Sequence, residues 1–261
     1  MNEARTALKE QYKDSSNFRK RAALAGRFGA NAYPWYRWVF DKLAFDGRVN
    51  IVELGCGPGL LWKRNLDRVP HGTIVLSDFS AGMLRDAARN LGADARRFNF
   101  CQLDGSALPF RDRTIHAVVA NMMFYHVQNR PAALRDIQRV LTPRGAFYST
   151  TTGHGYMREI NEAAFRILNT PPRAASAERF GLETGYDQLT GVFKHVETIR
   201  YENSLRVTES QPLIDYFESM TPMVSATPER WSALREYFDG IIRDKGEIRI
   251  PVVMGMLIAR D

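Results

Sequence analysis

The sequence predicts an α/β protein: a mostly parallel sheet with helices on both faces. Two observations carry this. Short apolar segments alternate with amphipathic ones from residue 49 to residue 152, and a glycine cluster, Gly55-Cys56-Gly57-Pro58-Gly59, falls between the first such strand and the helix after it. Strand–helix alternation builds parallel strands joined by helical crossovers, which cover both faces of the sheet. The length, 261 residues with 44% apolar side chains, suits one large domain with an accessory element and is short for two.

Taken in order, residues 1–45 read as two or three helices. In one of them Phe18, Ala22, Ala25 and Phe28 can share a face; the last is aromatic, with Tyr33, Trp35, Tyr36, Trp38 and Phe40, chiefly for packing. VNIVEL (49–54) is the first strand and GLLWKRNLDRV the helix after the glycines. TIVLSD (73–78) is the second strand; Ser80 caps the helix AGMLRDAARNLG, which Gly92 ends. RRFNFCQ (96–102) and TIHAVVAN (114–121) are strands three and four, with His116 expected to be packed. The helix RPAALRDIQRVL (130–141) and a fifth strand, AFYSTTT (146–152), follow. Then the alternation breaks. Residues 153–181 read as a helix and a Pro-rich loop, Thr170-Pro171-Pro172, and residues 182–192 as a helix. KHVETIRYENSLRV is a strand, two helices lie near 209–220 and 228–243, and EIRIPVVMGMLIAR closes the chain as a strand. The expected organisation is an N-terminal helical cap over residues 1–45 and a sheet domain over 46–261. Insertions at about 153–181 and 205–245 form a lid, placed where open α/β sheets build their sites.

Composition excludes several classes. No apolar run reaches the ~18 residues of a membrane helix, and the polar start, MNEARTALKEQYKDSS, has no signal-peptide core. Cys56 and Cys101 are the only cysteines and form no CxxC pair, which argues against structural zinc and disulfides and suits a reducing, cytoplasmic setting. No histidine cluster has metal-ligand spacing, so no metal is expected. The net charge of +7 is spread along the chain beside acids, as in Arg111-Asp112-Arg113, and the densest cluster, Arg19-Lys20-Arg21, sits in a helix. A solvated surface is expected rather than a nucleic-acid or membrane partner.

The chemistry concentrates in Glu53-Leu54-Gly55-Cys56-Gly57-Pro58-Gly59. Glycines between a strand and a helix let backbone approach a ligand, and the helix start offers free N–H donors. The dinucleotide fingerprint asks for a small residue at position 60, where this chain has Leu60. Asp78 ends the second strand 19 residues after Gly59, where a carboxylate accepts from ribose hydroxyls. Asp104 follows the third strand in Leu103-Asp104-Gly105-Ser106, placed to meet an adenine edge.

With these pieces in hand, VELGCGPG, LSDFSAGML, LDGSALPF, VVANMMFYHV and ALRDIQRVLTPRG resemble the class I S-adenosylmethionine-dependent methyltransferases, and within them the bacterial small-molecule group typified by ubiquinone/menaquinone C-methyltransferases. The resemblance covers residues 49–152 well and the tail loosely. It implies a Rossmann-like, seven-stranded sheet whose final strand is an antiparallel edge strand. It implies S-adenosylmethionine as cofactor, with Glu53, Gly55 and Gly57 around its methionine portion. Asp78 would then meet the ribose, with Phe79 and Met83 beside the adenine and Asp104 and Gly105 at the adenine edge. The backbone carbonyl of Asn121 would lie near the amino group. Helices before the first strand fold over the cofactor in this group, which makes Tyr12, Phe18 and Arg27 candidates for contacting it.

Because a sulfonium already activates its neighbouring carbons, the enzyme supplies mainly proximity and orientation, and sometimes a base. His126, in Phe124-Tyr125-His126-Val127, is the candidate base, and His154 is also near the strand ends. Tyr156, beyond the fifth strand, could shield the sulfonium or flank an amine, with Phe124, Tyr125 and Tyr148 near the same edge. Methyl transfer to a small apolar or aromatic metabolite is the leading expectation. The alternative is cyclisation of the cofactor itself to azetidine-2-carboxylate and methylthioadenosine, with Asn121 accepting from the amine and Tyr156 shielding it. Base-modifying methyltransferases carry Asn/Asp-Pro-Pro-aromatic after strand four; here that position reads Asn121-Met122-Met123-Phe124, without prolines. The acceptor and the oligomeric state are not legible from the sequence.

Overall fold

The computed structural model describes residues 3–170, 176–220 and 226–261. Pro171 and Pro172 of the expected loop lie outside them. The chain divides into two compact units: one comprises residues 33–154, 174–201 and 254–261, the other residues 1–32, 155–173 and 202–253. Two long strands run through both.

The first unit holds β1 (Val49–Leu54), β2 (Gly72–Asp78), β3 (Asn99–Gln102), β4 (Ile115–Asn121) and β5 (Leu141–Thr152). With β6 (His195–Val207) and β7 (Ile248–Arg260) they form a seven-stranded sheet of order β3-β2-β1-β4-β5-β7-β6. The pairs among β1 to β5 are parallel and β7 runs antiparallel to β5. The closing strand is therefore antiparallel as expected but internal, because β6 pairs outside it.

In chain order the helices are α1 (Glu3–Gln11), α2 (Ser16–Phe28), α3 (Trp35–Asp41), α4 (Leu60–Lys63), α5 (Ala81–Leu91), α6 (Arg130–Val140), α7 (Arg158–Leu168), α8 (Ser176–Phe180), α9 (Leu182–Thr190), α10 (Gln211–Glu218) and α11 (Pro228–Lys245). Helix α5 starts where expected, Ser80 accepting from the Met83 N–H. The helix expected over GLLWKRNLDRV stops after one turn. Asn65 leaves helical geometry (φ −133°) and turns its buried amide back to donate to the carbonyls of Leu61 and Tyr36. An Asn that bonds nearby backbone competes with helix continuation. A short 3₁₀ turn at Leu66–Arg68 follows.

On one face of the sheet, Ile51, Ile74, Leu76, Val119 and Tyr148 pack under Trp38, Phe40, Leu61, Trp62 and Ala87. Helix α3 thus belongs to the sheet unit's core: Trp35 stacks on Trp38 at 5.3 Å, and Tyr201 meets both edge-on. The other unit packs α2 against α10 and α7 against α11. Phe217 lies parallel to Phe238 at 6.3 Å and edge-on to Phe165. In α2 the buried side chains are Leu24 and Phe28, with Ala25 exposed, so the expected Phe18-Ala22-Ala25-Phe28 face is rotated. The rotation lets Arg21 reach the carbonyl and hydroxyl of Ser219 and Lys20 pair with Glu218. A basic cluster is thereby used inside its own unit.

Asn65→Ala removes two donors from buried carbonyls and is expected to destabilise the sheet unit by ~1–3 kcal/mol. Urea unfolding followed by tryptophan fluorescence, which reports Trp35, Trp38 and Trp62 of the sheet unit together with Trp231 of the other, measures this.

Candidate cofactor-binding site

In parallel strands, residues in register project from the same face. Leu54 pairs with Ser77 and with Ala120, so the next position along sets Gly55, Asp78 and Asn121 in one row. Asn121 pairs with Thr150, which extends the row to β5. The row lies at the carboxyl ends of the strands, where open α/β sheets bind ligands.

The glycines on this row are spatially required. Gly55 has φ +61°, and a Cβ there would fall 2.8 Å from Cγ of Met123. Gly57 has φ +52°, with open space for 4 Å around the missing Cβ, so the backbone can be approached closely from that side. Its N–H donates to Oδ2 of Asp78 at 3.0 Å, while Oδ1 accepts from the Ser80 N–H at 2.9 Å. One carboxylate thus ties the glycine loop to the start of α5. Burial pushes the Asp78 carboxyl up, opposed by hydrogen bonds from the backbone of Ser80, Gly57 and Phe79.

Two residues before the row, Glu53 is 1% exposed. Burial pushes its carboxyl up to about 8, with a smaller contribution from the charge of Asp78; a hydrogen bond from Trp62 acts in the opposite direction. The Trp62 indole N–H donates to Oε2 at 2.7 Å. Trp62 was missed from sequence because its role depends on the first turn of α4 folding back onto β1. Tyr36, half-buried, has its hydroxyl pushed up by desolvation and then by the Glu53 charge.

The remaining candidates are placed as follows. Phe79 is half-buried and its carbonyl accepts from the Gln102 side chain at 2.9 Å. Met83 is 2% exposed. Asp104 is exposed and folds its own loop, Oδ1 accepting from the Ser106 N–H and hydroxyl. A Cβ on Gly105 would lie 3.8 Å from Cε of Met123 and 3.9 Å from Leu54 Cδ1, so this loop and the glycine loop converge on one Met side chain. Met123, like Thr150, was not singled out from sequence, since only tertiary register brings it here. His126 ends a 3₁₀ turn, Phe124–His126, its ring 4.6 Å from Tyr125. Tyr156 belongs to the other unit, where it hydrogen-bonds the buried hydroxyl of Tyr216. In that unit, too, Tyr12 lies under the Arg21 guanidinium and Arg27 pairs with Glu209.

Some expectations are corrected. Phe124 and Tyr148 are core residues: Phe124 packs edge-on against Phe147 and Phe180, and the Tyr148 hydroxyl accepts from the Ala44 N–H at 3.2 Å. His116 is exposed rather than packed, its Nδ1 accepting from the Asn50 N–H at 3.0 Å. His154 is exposed and its N–H donates to Glu183. Among the described residues no group of three or more His, Cys, Asp or Glu could hold a metal ion, and no helix is long and apolar enough to cross a membrane.

A glycine loop braced by an acid at the end of β2, over a mostly parallel sheet, defines a Rossmann-like domain. Comparison with known proteins shows what this domain is similar to. Residues 51–145 match the methyltransferase domain family. Over 123 residues the chain is 32% identical to the malonyl-[acyl-carrier protein] O-methyltransferase of Geobacter sulfurreducens, covering 47% of this chain and 46% of that one. Over 115 residues it is 33% identical to the ubiquinone/menaquinone biosynthesis C-methyltransferase UbiE of Hahella chejuensis, covering 42% and 46%. The chain therefore spans about half the length of the curated relatives it matches. Among solved structures, phosphoethanolamine N-methyltransferase 2 of Haemonchus contortus in complex with S-adenosyl-L-methionine superposes with a TM-score of 0.60 at 15% identity, covering 100% of this chain and 60% of that one, a likeness of fold. Residues 51–145 are thus similar to methyltransferase domains, in sequence to those of the O- and C-methyltransferases above and in fold to that of the N-methyltransferase.

Two measurements probe this site. Asp78→Ala is expected to weaken S-adenosylmethionine binding by ~1.5–3 kcal/mol, the range for hydrogen bonds to a charged group, in titration calorimetry. The second uses pH. A folded-state carboxyl raised from 4.5 to about 8 contributes stability that is complete below 4.5 and is lost as pH rises through about 8. Asp78, shifted the same way, adds to that slope. The urea midpoint of the ligand-free protein is therefore expected to fall across this window. Glu53→Gln should flatten the fall by an amount on the order of a few kcal/mol.

Proposed function

We propose that the protein transfers the methyl group of S-adenosylmethionine to a small, apolar or aromatic metabolite. The observation that carries this reading is the row with its braced glycine loop, in which Gly57 of the loop and Asp78 and Asn121 of the row present backbone, carboxylate and amide at the strand ends beside a buried Glu53. The donor set fits the cofactor: open space at Gly57 for a close approach, an acid for a diol, and a further acid near a cationic group. When bound, the cofactor supplies an electrophilic methyl carbon on sulfur.

The chain's own residues then bind and orient. Glu53, Gly55 and Gly57 hold the methionine portion, Asp78 the ribose hydroxyls, and Phe79, Met83, Asp104 and Gly105 the adenine. Asn121 offers its backbone carbonyl to the amino group. The half-buried Met122, Met123 and Tyr125 after β4 give the site an apolar, polarisable side suited to an apolar acceptor. His126 takes a proton from the acceptor on a ring nitrogen where the acceptor needs it. The curated relatives' O- and C-methyl transfer supports the reaction type without fixing the acceptor atom.

Cofactor cyclisation asks Asn121 to accept from a neutral amine. Its Oδ1 accepts from the buried Thr150 hydroxyl at 2.6 Å, which leaves one lone pair for an amine and weighs toward methyl transfer. Incubation with S-adenosylmethionine, with and without candidate acceptors, followed by mass spectrometry, separates the two. S-adenosylhomocysteine formed only with an acceptor is the expected result; rapid acceptor-free release of methylthioadenosine would overturn it. His126→Ala is expected to cost ~10²–10⁴-fold in turnover with cofactor affinity near normal, the signature of a lost general base.

A further inference from the structure

Residue 122 is the place in the sheet unit where backbone strain and the candidate site coincide. Met122, immediately after β4, has φ +54°, a left-handed conformation that costs a side-chain-bearing residue energy unless its surroundings impose it. Three hydrogen bonds impose it here. The Met122 N–H donates to the Thr150 carbonyl at 3.1 Å and to the Thr150 hydroxyl at 3.0 Å, and its own carbonyl accepts from the Tyr125 hydroxyl at 2.6 Å.

The same threonine determines how Asn121 is presented. Thr150 is 1% exposed, and its hydroxyl donates to Oδ1 of Asn121 at 2.6 Å. A hydroxyl has one proton to give. Because the Met122 N–H can only donate, the hydroxyl accepts there and spends its proton on Asn121. Reversing the Asn121 amide would set an N–H against that oxygen and leave the buried hydroxyl proton with no acceptor among these groups. The amide oxygen is thus held toward Thr150, and the two N–H donors are turned away from it, on the row shared with Gly55 and Asp78.

We propose that Thr150 and Tyr125 are positioning residues that clasp Met122 and fix Asn121 as a hydrogen-bond donor to the carboxylate of the cofactor's methionine portion. This rests on the methyltransferase reading, which sets that portion along Glu53, Gly55 and Gly57, next to Asn121. The methionine portion carries one ammonium and one carboxylate, and the N–H pair on the side of the amide away from Thr150 matches only the second. The backbone carbonyl of Asn121, an acceptor, is left for the ammonium. One residue then grips both ends of the amino-acid head and sets the angle at which the sulfur is presented.

The test uses calorimetric affinity for S-adenosylhomocysteine and for its decarboxylated analogue, with the full chain and its variants. Asn121→Asp, which turns donors into a like charge, is expected to weaken S-adenosylhomocysteine about tenfold or more and to leave the decarboxylated analogue unweakened. Thr150→Val is expected to reproduce the selective loss, and Thr150→Ser, which keeps the hydroxyl, to restore affinity to within about threefold. Amide exchange at Met122 in the ligand-free protein should accelerate in Thr150→Val and in Tyr125→Phe, a readout that needs no ligand. If Thr150→Val does not fold, the Asn121→Asp and Tyr125→Phe arms decide alone. Unchanged S-adenosylhomocysteine affinity in Asn121→Asp, or equal weakening of both ligands, overturns the inference while leaving methyl transfer standing. A wild-type protein that binds neither ligand overturns the methyltransferase reading, and the inference falls with it.

Discussion

The carboxylate of Asp78, shared between the backbone N–H groups of Gly57 and Ser80, ties three elements into one site: the end of β2, the glycine loop after β1 and the first turn of α5. Each oxygen takes one backbone donor, so the loop's position follows that of the strand. A carboxylate accepting from N–H groups is held more firmly than a neutral acceptor would be. Without this brace the glycines, which have the least conformational preference of any residue, would leave the loop loosely defined.

Behind that brace the protein accepts an energetic cost. Glu53 is buried with one strong partner, Trp62, and with the charge of Asp78 close enough to raise its proton affinity further. A buried carboxylate is costly unless paired or hydrogen-bonded. Its retention one layer below the glycine loop is the local conflict expected at a functional position. The left-handed Met122 just after β4 is a second instance, offset by Thr150 and Tyr125. The aromatic packing of α3 and α4 on the sheet, with Trp38, Phe40 and Trp62 on Ile51 and Leu76, supplies the apolar stabilisation that these polar insertions draw upon.

The accuracy with which elements were legible followed the range of the forces that make them. Strands such as β1 and β2, the Ser80 cap and the α6 start at Arg130 are local matters of propensity and capping, and their limits agree closely with the sequence pattern. The helix after Gly59 was misjudged because Asn65 answers to the distant carbonyl of Tyr36 as well as to its own turn. The α2 face was misjudged because Arg21 is drawn to Ser219, 198 residues away. His116 and Tyr148 were misjudged because a strand's alternation does not say which face is covered and by what.

By itself the sequence determined the class of sheet, the glycine loop and the order of acids at successive strand ends, since each is fixed by a residue and its immediate neighbours. Tertiary structure alone decided the rest. Register across four strands set Gly55, Asp78, Asn121 and Thr150 in one row. Burial pushed Glu53 up to about 8 and selected Trp62 as its partner. A buried hydroxyl with a single proton then oriented the Asn121 amide. The physical reason is the same in each case. Register, desolvation and hydrogen-bond direction are properties of pairs of groups far apart in the chain, and they take definite values only once the sheet has closed around them.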